Sequence, residues 1–192
     1  TVNPTAGTLT TQGEIWIANG NQNHTVEGGH YNLSCTGELN ISNWFAIGRR
    51  GGKVVFNMTG GTVNKTGGGN VTISTGTGGT GTINQSGGGF NHSTQTFVGE
   101  SWDGPNGGDG HGNGTWNLSG TGVANLTDVI IGTGGASTGT FNLDGGTLKA
   151  NRIWTSSAGT STFNFNGGTL KAGANQANFM SGLSAANVEA GG

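Results

Sequence analysis

The sequence predicts an all-β fold: a single parallel β-solenoid of about six or seven coils, with three short strands per coil and a short C-terminal helix. Three observations lead there. First, Thr140-Phe141-Asn142-Leu143-Asp144-Gly145-Gly146-Thr147-Leu148-Lys149-Ala150 returns as Thr162-Phe163-Asn164-Phe165-Asn166-Gly167-Gly168-Thr169-Leu170-Lys171-Ala172. Its core, a large apolar residue, Asn, a second apolar residue, a small polar residue and a glycine corner, is traceable back through Trp116-Asn117-Leu118, Ile83-Asn84-Gln85, Phe56-Asn57-Met58 and Tyr31-Asn32-Leu33. The Asn positions are 25, 27, 33, 25 and 22 residues apart. Second, a short apolar run ending in a small residue keeps step with it: Ile15-Trp16-Ile17-Ala18, Phe45-Ala46-Ile47-Gly48, Val71-Thr72-Ile73-Ser74, Thr96-Phe97-Val98-Gly99, Val129-Ile130-Ile131-Gly132 and Arg152-Ile153-Trp154-Thr155. Third, the chain of 192 residues holds 43 glycines and only 8 % charged residues. Glycine at that level without a collagen period is common in linkers, but a linker does not place a large apolar residue ahead of Asn six times.

The elements follow in order. Residues 1–12, with Pro4, read as an extended N-terminal arm or a degenerate first strand, suited to a sheet edge. Residues 13–173 carry the repeats. Each coil has the apolar-Asn-apolar strand, a Gly-Gly corner supplying positive φ angles, a Thr-Leu-type strand and the apolar third strand. Alternation puts Tyr31, Phe56, Ile83, Trp116, Phe141 and Phe163 inside, together with Leu33, Met58, Gln85, Leu118, Leu143 and Phe165. The Asn between them then forms an outward ladder. In the third strand Ile17, Ile47, Ile73, Val98, Ile131 and Trp154 are expected inside, leaving Trp16, Ala46, Thr72, Phe97, Ile130 and Ile153 either outside, as an apolar face that wants a cover, or tucked in by a local bend of the strand. The longest loop, residues 100–112, accounts for the 33-residue spacing. Residues 174–192 lose the glycine rhythm, gain Ala, Leu and Met, and read as a helical, capping segment that leaves the rod short of a last strand.

These residues resemble the glycine-rich autotransporter-associated β-strand repeats of large secreted bacterial surface proteins. The likeness rests on Gly139 to Ala150, Ile131-Gly132-Thr133-Gly134 and the tail from Phe179 to Gly192, and it covers the chain from about Gly29 onward. It implies a β-solenoid at the cell surface and no shared catalytic residues.

Charge and composition narrow the partners. A net charge of −2 without a basic cluster points away from nucleic acid and anionic membranes. No apolar run approaches the ~20 residues of a membrane span. The absence of a signal peptide and a start on Thr1 lead us to expect a processed, extracellular or cell-surface chain. The single Cys35 offers no internal disulfide.

Candidate chemistry is sparse. Nine acids are mostly isolated, and the one cluster, Glu100, Asp103 and Asp109 near His111, is a weak calcium candidate. Gly120 stands where a bidentate Glu would complete that loop. No catalytic residues and no other cofactor are expected. Asn-X-Ser/Thr occurs at Asn23, Asn32, Asn40, Asn57, Asn64, Asn70, Asn84, Asn91, Asn113, Asn117 and Asn125, which are glycosylation candidates as well as turn residues. The expected function is that of an extracellular structural subunit associating head-to-tail into a surface fibre or matrix. The outward Trp16, Phe97, Ile130 and Ile153 would receive further self-association contacts. The alternative is a carbohydrate-binding adhesin module, with Trp102 of the long loop stacking on a surface glycan. A polysaccharide-processing enzyme or an ice-binding face on Thr62, Thr147 and Thr169 is the weakest reading, since Gly89 interrupts that column.

Overall fold

The computed structural model describes residues 6–20, 26–34, 36–101 and 111–192. The strands come in seven sets of three, one set per coil, giving about six turns of rise. In chain order the sets are β1 (Thr8–Thr11), β2 (Ile15–Asn19) and β3 (Val26–Leu33); β4 (Glu38–Ile41), β5 (Phe45–Arg49) and β6 (Gly52–Met58). The next are β7 (Thr62–Lys65), β8 (Val71–Thr75) and β9 (Thr80–Gln85); β10 (Gly89–His92), β11 (Gln95–Glu100) and β12 (Asn113–Leu118). Then follow β13 (Val123–Asn125), β14 (Asp128–Thr133) and β15 (Thr138–Leu143); β16 (Thr147–Ala150), β17 (Arg152–Trp154) and β18 (Thr160–Phe165). The last set is β19 (Thr169–Ala172), β20 (Met180–Ser181) and β21 (Ala185–Val188). Every third strand joins the same parallel sheet. Sheet I runs from β3 to β21, sheet II from β1 to β19 and sheet III from β2 to β20.

Parallel sheets require cover on the face that carries their apolar residues, and here the three sheets cover one another. Phe56, Ile83, Trp116 and Phe141 of sheet I are fully enclosed, as are Val63, Phe90 and Leu148 of sheet II and Phe45, Ile73, Val98 and Ile131 of sheet III. Aromatic rings follow the coil spacing: Trp116 stacks on Phe141 at 5.5 Å and Phe141 on Phe163 at 5.7 Å. The interior of sheet I therefore has the predicted aromatic column, in unbroken register from Tyr31 to Ala186.

Two kinds of corner turn the chain. The second glycine of the Gly-Gly pairs, Gly61, Gly88, Gly146 and Gly168, has a φ of +71°, +72°, +68° and +76°. The corner from sheet III into sheet I is left-handed as well, through Ala18, Gly48, Ser74, Gly99 and Gly132. This explains the small residue that ends the first five apolar runs; Thr155, which ends the sixth, is not left-handed. A Cβ at Gly99 would sit 2.1 Å from the Thr138 carbonyl oxygen, and one at Gly132 would sit 2.0 Å from that of Thr160.

Two expectations are corrected, and a third is decided between its two readings. Residues 174–192 form no helix: β20 pairs with β17 and β21 with β18, so the tail supplies the strands of the seventh coil. Alanine favours helix, but Ala185 and Ala186 extend the columns of Thr162 and Phe163, and pairing decides over propensity. Of the two readings of the N-terminal residues, 8–11 take that of a first strand at the sheet edge, where β1 pairs along its length with β4. In β17 the register places Ile153 against Val129 and Trp154 against Ile130. Ile153 is thus the interior residue, 0 % exposed, and Trp154 stands outside over the Arg152 guanidinium at 4.1 Å.

Candidate functional site

The outer surface of sheet I is an amide ladder. Asn57 Nδ2 donates to Asn32 Oδ1 at 2.8 Å, and the pattern repeats through Asn84, Asn117, Asn142, Asn164 and Asn187 at 2.7–2.9 Å. Each rung satisfies one donor and one acceptor along the strand-stacking direction, as in other stacked β structures. Sheet II carries a second ladder that the sequence reading missed: Asn64 donates to Asn40 at 3.0 Å, Asn91 to Asn64 at 2.9 Å and Asn125 to Asn91 at 2.9 Å. Its signal was available, because each of these Asn lies between two residues that point inward. Lys149 and Lys171 continue the column.

The ladders account for eight sequon Asn. Asn32, Asn57, Asn84 and Asn117 belong to the first, and Asn40, Asn64, Asn91 and Asn125 to the second. In Asn57, Asn84, Asn117, Asn64, Asn91 and Asn125 the Nδ2, the atom a glycan would occupy, donates to the neighbouring coil. Asn70 and Asn113 stand outside both ladders, and Asn23 lies outside the described residues.

Inside the corner between sheets II and III sit two polar groups in an apolar column. Lys65 is 1 % exposed, and its ammonium donates to the carbonyls of Thr66, Gly67, Gly68 and Gly69 at 3.2, 3.4, 2.7 and 3.3 Å. Burial lowers its pKa. The next coil places His92 beside it, with Nδ1 2.8 Å from Thr96 Oγ1 and Nε2 2.8 Å from Thr94 Oγ1. Burial first, then the Lys65 charge, pushes the His92 pKa down to about 3, so the ring is neutral.

The outer face of sheet III differs from the other two. Its column reads Trp16, Ala46, Thr72, Phe97, Ile130, Trp154 and Ser181. Trp16 is exposed, Phe97 is half-buried and Ile130 is buried. Trp16 and Trp44 meet edge-to-face at 6.0 Å, and the Arg49 guanidinium lies over both rings, at 4.7 and 5.2 Å. Next to this cluster opens a cleft of about 370 Å³ lined by Glu14, Asn43, Trp44, Gly69, Asn70, Thr72 and Glu100.

Glu100 was the one described member of the proposed calcium cluster. It closes β11, and burial raises its pKa to about 7 against the opposing Thr75 hydrogen bond. Asp103, Asp109 and Trp102 lie outside the described residues. Among the described residues no group of three or more His, Cys, Asp or Glu is placed to hold a metal ion. His111 accepts the Ala136 amide at 3.2 Å.

No family model, curated protein or solved structure matches the chain.

Proposed function

We propose that this chain is a structural protein of the cell exterior, a β-solenoid subunit that stacks head-to-tail into a fibre or matrix. One observation carries the reading. At each end of the rod, three strand edges have no neighbour among the described residues, and the two ends are complementary. Continuing the same register by one coil lays Leu170 of one copy on Leu9 of the next. It also lays Ser181 on Trp16, Ala186 on Tyr31, Asn187 on Asn32 and Val188 on Leu33. The small Ser181 and Ala186 would receive the large Trp16 and Tyr31, and the Asn ladder would run through the junction. Val188, Leu9 and Trp16, exposed by 75, 51 and 44 %, would lose their contact with water.

The resemblance to autotransporter-associated repeats supports a surface location, and low charge with abundant Asn, Thr and Gly suits it. Glycosylation, where it occurs, falls on Asn113 in preference to the ladder rungs.

Sedimentation velocity against concentration tests the stacking. The parent chain is expected to form species of increasing mass. Val188→Lys, which sets an ammonium against the next copy's Leu33, is expected to remain a single subunit with unchanged stability. Equal behaviour of the two chains contradicts the proposal.

A further inference from the structure

The outer face of sheet I carries more than the Asn ladder. Over four successive coils the register lays Thr82, Thr115, Thr140 and Thr162 in one outward column. Two residues nearer the start of each strand, Thr80, Asn113, Thr138 and Thr160 form another. With the rungs from Asn84 to Asn164 they make a patch four coils high and three columns wide that contains no charged group. Lys53 and Val55 bound it at one end, Ala185 and Asn187 at the other. Among the described residues no protein group hydrogen-bonds the hydroxyls of its seven threonines, so they face water.

The patch is flat and stiff. A sheet of many strands stays untwisted when a side-chain ladder holds its strands in line. The rungs here measure 2.8, 2.7 and 2.7 Å, and the rings of Trp116, Phe141 and Phe163 are enclosed behind them. The threonine positions therefore repeat at about 4.8 Å from strand to strand and about 6.7 Å along each strand. Strand propensity favours Thr but does not confine it to one face. The corresponding column of sheet II reads Thr62, Gly89, Val123 and Thr147, and that of sheet III is largely aromatic and aliphatic.

We propose that this face binds ice. Each threonine offers a hydroxyl that joins a hydrogen-bonded water network and a methyl group around which water is ordered. The two spacings are close to those between oxygen atoms on a prism face of hexagonal ice, so waters held on the grid continue into that lattice. The absence of charge matters, because an ion imposes its own hydration geometry. A dissolved ligand fits this face poorly: small molecules bind in concave, largely apolar sites, and a charged polymer needs opposite charge. The face lies along the side of the rod, so the proposal does not rest on stacking. It is also separate from the Thr62, Thr147 and Thr169 column, which both Gly89 and Val123 interrupt.

The test is nanolitre osmometry of freezing hysteresis and ice-crystal shape. It uses unglycosylated chain, because a glycan on Asn113 would cover the face. A gap between melting and freezing points that widens with concentration is expected, together with faceted crystals. Thr140→Lys, at the centre of the patch, is expected to abolish both while the variant melts with the parent by circular dichroism. Thr138→Lys, on a fully exposed residue, is expected to act the same way. Thr147→Lys on sheet II is expected to leave both unchanged, and Val188→Lys to retain them whether or not the parent stacks. Absence of hysteresis and crystal shaping in the parent chain overturns the proposal. So does an equal loss in Thr147→Lys, which would remove the assignment to sheet I.

Discussion

Sheet I and sheet III are built from the same coil, yet they are specified differently. Along sheet I the inward column is aromatic or aliphatic from Tyr31 to Phe163, the outward column is Asn at every coil, and the register holds through both columns, its one shift lying at the start of β3 between Val26 and Gly29. Each residue type has one place to go, because an Asn that turned inward would lose its ladder partners and bury an amide. Along sheet III both faces are apolar over much of the length, and burial alone does not say which residue points in. That is where the sixth coil departs from the sequence alignment, with Ile153 inside and Trp154 out. It is also where the outward column varies enough to leave a cleft. Regular columns hold the rod together, and the irregular column leaves a gap on its surface.

This contrast breaks most visibly at the centre of sheet I. Trp116→Ala removes the largest enclosed side chain and is expected to cost about 3–5 kcal/mol in urea unfolding. A cost below about 1 kcal/mol would mean the aromatic column is not the core.

The corner that ends sheet III gives the next effect. Gly99→Ala places a Cβ against the Thr138 carbonyl at positive φ and is expected to cost about 2–3 kcal/mol. Ser74 occupies the same corner one coil nearer the N-terminus with a φ of +61° and an unsatisfied hydroxyl, so Ser74→Gly is expected to stabilise by about 1 kcal/mol. Opposite signs at equivalent positions would establish the corner geometry.

The pH response separates sheet III from the corner of sheet II. Glu100 has a folded pKa raised to about 7, so the native state holds its proton more tightly. Its contribution is most favourable below about pH 4.5 and declines as pH rises toward 7. His92 has a folded pKa depressed to about 3, so its contribution is present above about pH 6.5 and is lost as pH falls from there toward 3. Urea titrations from pH 4.5 to 7 are expected to show stability rising more steeply with pH in Glu100→Gln than in the parent. His92→Leu is expected to lose the acid sensitivity. Each effect is of the order of a few kcal/mol at most.

The smallest effect lies in the ladder. Asn117→Ala breaks two rungs in mid-rod and is expected to cost about 1–2 kcal/mol, whereas Asn187→Ala, with one rung at the exposed end, is expected to cost under about 0.5 kcal/mol.

Much of the architecture was legible because repetition turns a weak local pattern into a strong one. The repeated Asn fixed the faces of sheet I, and the Gly-Gly pairs marked one corner. What was not legible has physical causes. Met180–Ser181 and Ala185–Val188 lack strand-like composition and become strands only because β17 and β18 offer them partners. Glu14, Asn43, Asn70 and Glu100 come from separate coils with no shared sequence motif, so their meeting in one cleft follows from stacking alone. The second Asn ladder was within reach, hidden by reading its Asn residues as sequons.

Electron microscopy of the purified chain over a range of concentrations tests the central claim most directly. Stacking predicts fibres with an axial subunit repeat of about 34 Å, seven strand spacings of ~4.8 Å, and a matching 4.8 Å reflection along the fibre axis. Discrete particles of one 19.1 kDa subunit at every concentration would contradict it.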